Sequence, residues 1–336
     1  MKILVTGGIG NVGRTLVAQL VQHGHQVKVV DRHEPVEIAG AEYARCDITD
    51  FAALRVQVRG QEGIIHLAGI PHPGGVPGPE IFRINCTGTY NVYEAAALEG
   101  IKRVACASSI NAFGFNFGIK SFPIRYLPID EDHPGFTTDP YSFSKQTVEE
   151  IAAYYWRREG ITSACLRLPW VFERTEALLA MAKQFLDYYR KGFADLLALP
   201  QEEREERIRQ AIHMLDERRA LRLSEKPWDE NDHGPQDDFD PEMMLLFGYT
   251  DFFSLISAED SAQAFEKALL ADYTGSHALY VSAAENTTGM DAEVLARIFY
   301  PEVTARSRPL VGKESLVSYD RARQLLGFKP EIPNII

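Results

Sequence analysis

Tyr141 and Lys145 stand four residues apart in the run Tyr-Ser-Phe-Ser-Lys. On a helix that spacing puts both side chains on one face. An ammonium beside a phenol lowers the phenol pKa, so the pair predicts an acid or base usable near neutral pH. Two other segments give the pair its meaning. One is Thr6-Gly7-Gly8-Ile9-Gly10-Asn11-Val12-Gly13 near the N-terminus, and the other is Ser108-Ser109. The glycine loop predicts a dinucleotide site. Together these residues predict hydride transfer at a carbon bearing a hydroxyl.

The elements around them are those the chemistry needs. Lys2 to Thr6 reads as a buried strand, and Thr15 to Val21 as a helix with one apolar face. Strand, glycine turn and helix N-terminus suit a pyrophosphate. Gly7 is expected to permit the tight turn, Gly10 to let backbone approach the phosphates, and Gly13 to let helix pack on strand. A second strand, Gln26 to Val30, ends at Asp31. An acid there is placed for the adenosine ribose hydroxyls and favours NAD over NADP. Arg32 and His33 follow directly, and a cation there could hold the extra phosphate of NADP.

The 336 residues are enough for a large core and more than one lobe. A formal net charge of -12 argues against nucleic-acid binding and against an anionic membrane surface. No run is apolar and long enough for a bilayer span, and no signal peptide is visible, which predicts a cytoplasmic protein. Cys46, Cys86, Cys106 and Cys165 lack metal spacing and read as reduced core cysteines.

Strands and helices alternate through the first half. Strands are expected over Gly63–Gly69, Arg103–Ser109 and Ile161–Leu168, and helices over Gly88–Gly100 and Tyr141–Glu159. The pattern predicts an α/β, Rossmann-like, doubly wound parallel sheet, with ligands at the carboxyl ends of its strands. Glu173 to Glu242 reads as a charged helical insert. Within it, Glu202 to Arg222 carries Ile208, Ala211, Ile212 and Leu215 on one stripe, with Glu203–Arg207 and Glu205–Arg209 spaced as ion pairs. Trp228 to Asp240 reads as a surface loop. The expected division is 1–172 for the dinucleotide-binding part, 173–250 for the insert and 251–336 for the rest of a smaller substrate lobe.

With these residues in hand, the chain resembles the extended short-chain dehydrogenases/reductases, the NAD-dependent epimerase/dehydratase family. TGGIGNVG resembles the family's TGxxGxxG loop, and Asp47-Ile48 its adenine-contacting pair. His66-Leu67-Ala68-Gly69 resembles its HLAA segment, and Asn85 to Asn91 its NxxGTxN segment. Ala107-Ser108-Ser109-Ile110-Asn111-Ala112-Phe113-Gly114 resembles its ASSxxxYG strand end. Leu166-Arg167-Leu168-Pro169 and Leu325 to Pro330 resemble later signatures. The resemblance implies a proton exchanged by Tyr141, with Lys145 lowering its pKa and holding the nicotinamide ribose. It implies that Ser109 bonds the same substrate oxygen. It further implies cofactor contacts from Gly7, Gly10, Asn11, Val12, Gly13, Asp31, Arg32, Asp47, Ile48, Leu67, Ala68, Gly69, Asn85, Ala107 and Leu168, and a homodimer. His66 reads as a structural strand-end histidine.

The departures narrow the chemistry. Ile110-Asn111 stands where sugar dehydratases carry an Asp-Glu pair, so dehydration is not expected. Phe253 stands where many nucleotide-sugar enzymes have an arginine for the diphosphate, although Arg174 or an arginine of the insert could replace it. The run to Gly114-Phe115, and Ile81 to Asn85, resemble the uronate-dehydrogenase-like branch. Ser109, Asn111 and Arg174 are the candidate substrate contacts. The expectation is an NAD-dependent oxidoreductase acting on a sugar or sugar acid. An epimerase with no net redox change, or a non-catalytic NAD(P)-sensing protein of the same fold, are the alternatives.

Overall fold

The computed structural model describes residues 1–34, 36–174, 176–222, 246 and 248–332. Its strands are β1 (Lys2–Thr6), β2 (Gln26–Asp31), β3 (Ala41–Arg45), β4 (Gly63–His66), β5 (Arg103–Ala107), β6 (Thr162–Arg167), β7 (Trp170–Phe172), β8 (Leu255–Ser257) and β9 (Ser276–Tyr280). Seven of them form one sheet in the order β3-β2-β1-β4-β5-β6-β9. Every pair in it is parallel. Such a sheet is covered on both faces, which is why Ile3, Leu4 and Val5 run without a polar break and are all fully buried. The chain winds from β1 to β3 on one side, then returns to build β4, β5 and β6 on the other. The carboxyl ends of β1 and β4 therefore flank a crevice at the reversal.

The helices are α1 (Asn11–Gln22), α2 (Phe51–Val58), α3 (Gly78–Phe82), α4 (Gly88–Leu98), α5 (Pro140–Glu159), α6 (Glu176–Ala198), α7 (Gln201–Ala220), α8 (Ala258–Leu270), α9 (Ala292–Phe299) and α10 (Asp320–Leu326). One face of the sheet packs Leu16 and Leu20 of α1 with Phe265 and Leu269 of α8. The other packs Leu54, Val92, Tyr93, Val148 and Tyr155 from α2, α4 and α5. Of these helices α1, α4 and α5 are those the sequence pattern predicts.

A third core lies away from the sheet and is strongly aromatic. Phe113, Phe115, Phe193, Tyr249, Phe252, Phe253, Phe299 and Tyr300 meet there. The insert helices join it, with Ile208 and Ala211 buried and Ile212 and Leu215 packed against them. The expected apolar stripe of α7 is thus its packed face. Its ion pairing differs from expectation: Arg209 pairs with Glu206, one turn away on the same face, rather than with Glu205. Glu205 instead accepts a hydrogen bond from Gln201 at 2.8 Å. The expected loop over Trp228 to Asp240 lies outside the described residues.

The three cores do not follow divisions at 172 and 250. The aromatic core takes Ile110 to Ile129 from the first segment. Strand β9, from the last segment, completes the main sheet beside β6. A small sheet, β7 with β8, also ties residues on either side of the insert. Short segments of three residues carry too little pattern to be read from sequence. Among the described residues, no helix is long and apolar enough to cross a membrane.

Candidate active site

A cleft of about 970 Å³ opens at the predicted strand ends. Its walls include Gly7, Gly10, Asn11, Val12, Gly13, Asp31, Arg32, Asp47, Ile48, Leu67, Ala68, Gly69, Ala107, Ser109, Asn111, Tyr141, Lys145 and Leu168. Nearly every residue singled out from sequence is therefore brought to one place.

The glycine loop forms one end. Gly7 has a φ of 71°, and a Cβ there would lie 2.6 Å from the Ala68 nitrogen. A Cβ on Gly13 would lie 2.5 Å from the Gly7 carbonyl oxygen. Gly13 thus lets the first turn of α1 settle on its own loop. Close packing on the sheet falls to Gly8, whose Cβ would meet Val29 at 2.7 Å. Gly10 differs, because the nearest protein atom to its Cβ would be 3.4 Å away. The protein leaves room there, so the constraint faces the cleft. No side chain caps α1, and its N-terminal dipole is left to an anion in the cleft.

At the end of β2, Asp31 holds His33, whose Nδ1 lies 2.6 Å from Oδ1. Asp47 accepts from the Thr49 amide and hydroxyl, each at 2.8 Å. Burial opposes the Asp47 charge, but those donors, with Arg83 and Arg32 nearby, outweigh it and hold the carboxyl below its usual range. Asn85 stands behind the wall and does not line it. Its Oδ1 accepts from the Ile70 amide at 2.7 Å, and its Nδ2 donates to Ser144 Oγ at 2.9 Å. Asn85 therefore fixes the Gly69–Ile70 turn to α5, and its expected cofactor contact becomes a supporting one.

Helix α5 carries the chemistry. Asp139 caps it by accepting from the Ser142 amide at 2.8 Å, and Pro140 occupies its first turn. Tyr141 and Lys145 then follow one turn apart, both buried. Glu149, one turn further, accepts a bidentate pair from Arg167 of β6 at 2.8 Å each. It also accepts from Ser108 at 2.6 Å. This buried bracket fixes the helix against the strand that carries Ser109.

Ser109 serves both its own turn and the cleft. Its hydroxyl accepts from the Asn111 amide at 3.1 Å, capping a short turn, and it lines the cleft with the Tyr141 phenol, whose ionised form it favours. Lys145 donates to the Ala107 carbonyl at 3.0 Å, with Nζ 5.9 Å from the Tyr141 ring centroid. The expected lowering of the phenol pKa is not what this arrangement gives. Burial pushes the Tyr141 phenol well up, only partly offset by Ser109, and the Lys145 ammonium is itself lowered by burial. Desolvation is the largest influence on both groups. His66 is structural, as expected. It lies between Thr6 and Thr89 at 2.7 and 3.0 Å, and burial, with Lys145 nearby, lowers its pKa to about 3.

The family model for the NAD dependent epimerase/dehydratase family matches residues 3–189. The chain belongs to that family. It is 31% identical over 169 residues to a uronate dehydrogenase of Pseudomonas syringae pv. tomato, covering 50% of this chain and 58% of that one. It is 32% identical over 181 residues to an L-arabinose 1-dehydrogenase (NAD(P)(+)) of Haloferax volcanii, covering 52% and 69%. Against UDP-glucose 4-epimerase of Mus musculus it is 32% identical over 187 residues, covering 49% and 52%. The chain thus spans about six tenths of the uronate dehydrogenase and half of the epimerase. Glucuronic acid dehydrogenase from Chromohalobacter salexigens superposes with a TM-score of 0.58 at 21% identity, covering 98% of this chain and 84% of that one. UDP-glucose 4-epimerase of Thermotoga maritima gives 0.62 at 17%, covering 99% and 94%. Those two likenesses are of fold.

In this member of the epimerase/dehydratase family, the far end of the cleft draws on segments distant in sequence. Asn116, Phe117 and Asp251 line it, with Trp170 and His72. None was singled out from sequence as a site residue, because no spacing links 116–117 to 251. Phe117 packs edge-on against Tyr141, with centroids 5.7 Å apart. Phe253 is fully buried against Phe193 and Phe299, so it faces the aromatic core and not the cleft. Arg174, a candidate to replace the missing diphosphate arginine, is exposed and does not line the cleft wall, so the structure does not bring it together with Ser109 and Asn111.

Proposed function

We propose that the protein is an NAD-dependent oxidoreductase that moves a hydride from a hydroxyl-bearing carbon of a sugar-like substrate. The convergence of Ser109, Tyr141 and Lys145 beside the glycine cradle carries this reading. The cradle fits a dinucleotide: Gly10 and the uncapped α1 would hold its diphosphate, Asp31 its adenosine ribose, and Asp47 with Ile48 its base. Asp31 favours NAD over NADP, whose extra phosphate it would repel. When bound, NAD supplies the hydride acceptor. The chain's own residues handle the proton. Tyr141 Oη takes it from the substrate hydroxyl, and Ser109 steadies the same oxygen as charge shifts. Lys145, on the same helix face with Nζ 5.9 Å from the phenol ring centroid, is the cation that would offset part of the burial that raises the phenol when Tyr141 carries negative charge.

Similarity to UDP-glucose 4-epimerases supports a second reading, in which the ketone is reduced again from its other face. The same three residues serve both reactions. The exposed aromatic residues Tyr90, Phe143 and Tyr154 on α4 and α5, with Phe82 before them, support a homodimer through these helices.

The test is NADH absorbance with NAD or NADP against free aldoses, uronic acids and nucleotide-sugars. NADH growth that is lost in Tyr141→Phe supports the dehydrogenase. Isomerised sugar found by chromatography without NADH growth moves the assignment to the epimerase. Neither product from any sugar rules out both.

A further inference from the structure

Charge is distributed unevenly along the cleft. Among the described lining residues the cations are Arg14, Arg32, Arg83 and Lys145. Arg14 donates to Ile9 in the glycine loop. Arg32 adjoins Asp31, and Arg83 donates to Glu80 and Thr49 beside Asp47. These three arginines therefore belong to the nucleotide end. Beyond Tyr141 the wall carries Asn111, Asn116, Phe117, Trp170, His72 and one carboxyl, Asp251.

That carboxyl is built in. The Asp251 amide donates to Gly248 at 3.1 Å, and its carbonyl accepts from the Ser254 amide at 3.1 Å and hydroxyl at 2.7 Å. Asn116 Nδ2 donates to Oδ1 at 3.2 Å. The Asn116 carbonyl in turn accepts from Arg219 Nε at 3.1 Å, and the Phe115 carbonyl from Arg219 Nη2 at 2.6 Å. The remaining guanidinium nitrogen meets Asp216 at 3.1 Å. Arg219 is the insert arginine that reaches this end, yet its donors serve the loop and it does not line the cleft. No guanidinium among the described residues is offered to a substrate carboxylate here.

We infer that Asp251 selects the substrate: its carboxyl accepts hydroxyl hydrogens from a neutral sugar and disfavours a sugar acid. This rests on the hydride-transfer reading above and narrows its substrate class. A carboxyl oxygen left over after Asn116 accepts from a sugar hydroxyl, and a site built on such a bond discriminates strongly against a ligand that leaves it unmade. Once Asp251 is ionised, at and above neutral pH, a second carboxylate brought beside it meets like charge in a partly desolvated place. Several relatives are uronate dehydrogenases by name, so a uronate is the acid against which this preference has to be measured.

The experiment compares matched pairs, glucose with glucuronate and galactose with galacturonate, in wild type and Asp251→Asn. NADH formation gives kcat and KM, and titration calorimetry on the NADH-loaded protein gives sugar affinity where turnover is absent. The expected wild-type preference is at least about tenfold for the neutral sugar of a pair. In Asp251→Asn its KM or Kd should rise about tenfold while NADH affinity stays unchanged, and the preference should shrink. Wild-type preference for the uronate would overturn the inference and leave the hydride-transfer reading standing. So would an Asp251→Asn protein with unaltered preference. Failure of every sugar, neutral or acidic, both to bind and to react would overturn both. The wild-type preference is read without any variant, so a poorly folded Asp251→Asn does not block the test.

Discussion

The two ends of the cleft are built by different means. The nucleotide end is almost all backbone. It comes from one continuous strand–loop–helix unit, in which absent side chains at Gly7, Gly8 and Gly13 let main chain approach main chain. The substrate end is almost all side chain. Ser109, Asn116, Tyr141 and Asp251 come from segments far apart in sequence. Ser109 and Tyr141 meet where Glu149 ties α5 to β6, and Asn116 and Asp251 where the aromatic core draws 110–129 and 249–253 together. A backbone cradle needs only glycines at fixed places and offers few side chains to vary. A side-chain wall can change one residue at a time, and that is where specificity is carried.

Variants at each end should separate these two modes. The largest effect is expected at the reacting atoms. Tyr141→Phe removes the proton acceptor and should lower kcat by about 10²–10⁴-fold. NADH affinity measured by fluorescence should not move, since the cradle is untouched. A Tyr141→Phe protein with near-normal kcat would remove Tyr141 from the chemistry. Next comes Gly13→Ala, whose new methyl would meet the Gly7 carbonyl at 2.5 Å. The loop must shift, and thermal unfolding should show a loss of about 1–3 kcal/mol. Gly10→Ala is the informative contrast. Its methyl meets protein only at 3.4 Å, so stability should hold while NADH affinity falls. Equal behaviour of the two variants would mean that Gly10 does not face the cofactor. Arg219→Leu should act at the other end alone. It strips donors from the Phe115 and Asn116 carbonyls, at a cost of about 1–3 kcal/mol. Substrate KM should rise with NADH affinity unchanged.

The contrast also explains what could be read from sequence. Backbone cradles need glycine at fixed intervals beside a strand and a helix, so Gly7 to Gly13, Asp31 and the Tyr141–Lys145 pair were legible, as was the sheet. Two roles were not. Gly8, and not Gly13, meets the sheet, because the direction of a missing Cβ depends on a φ that spacing does not specify. The Tyr141 phenol is raised and not lowered, because spacing brings Lys145 to the same face without showing that Nζ turns to Ala107 or that burial dominates. Asp251 and Asn116 carried no local signal at all. Their meeting is a tertiary event, fixed by where Phe113, Phe115 and Phe252 pack against one another. Arg174 was the opposite case, a cation close in sequence to a strand end but turned to solvent.

The smallest expected effect tests the substrate end without any substrate. Burial raises the Asp251 carboxyl to about 7, while the Asn116 hydrogen bond and Arg219 oppose the rise. A carboxyl whose folded pKa lies above its unfolded value binds its proton more tightly in the native state. By linkage, its contribution to stability is full below the unfolded pKa, about 4, and fades as pH climbs to about 7. Asp251→Asn keeps the shape and removes the titration. The difference in Tm between wild type and Asp251→Asn should therefore drift against the wild type as pH rises across that window, then level off. Arg219 and the Tyr141 and Tyr300 phenols, which interact with Asp251, stay protonated across the window. Repeating the pair in a His72→Gln background removes the histidine of the same wall, so the drift then reports Asp251 itself. A constant difference from acid to neutral pH would mean that the carboxyl is solvated and already ionised. In that case the wall beyond Tyr141 would hold a fixed charge and not a buried acid. The contrast between a backbone end and a desolvated side-chain end would then have to be redrawn.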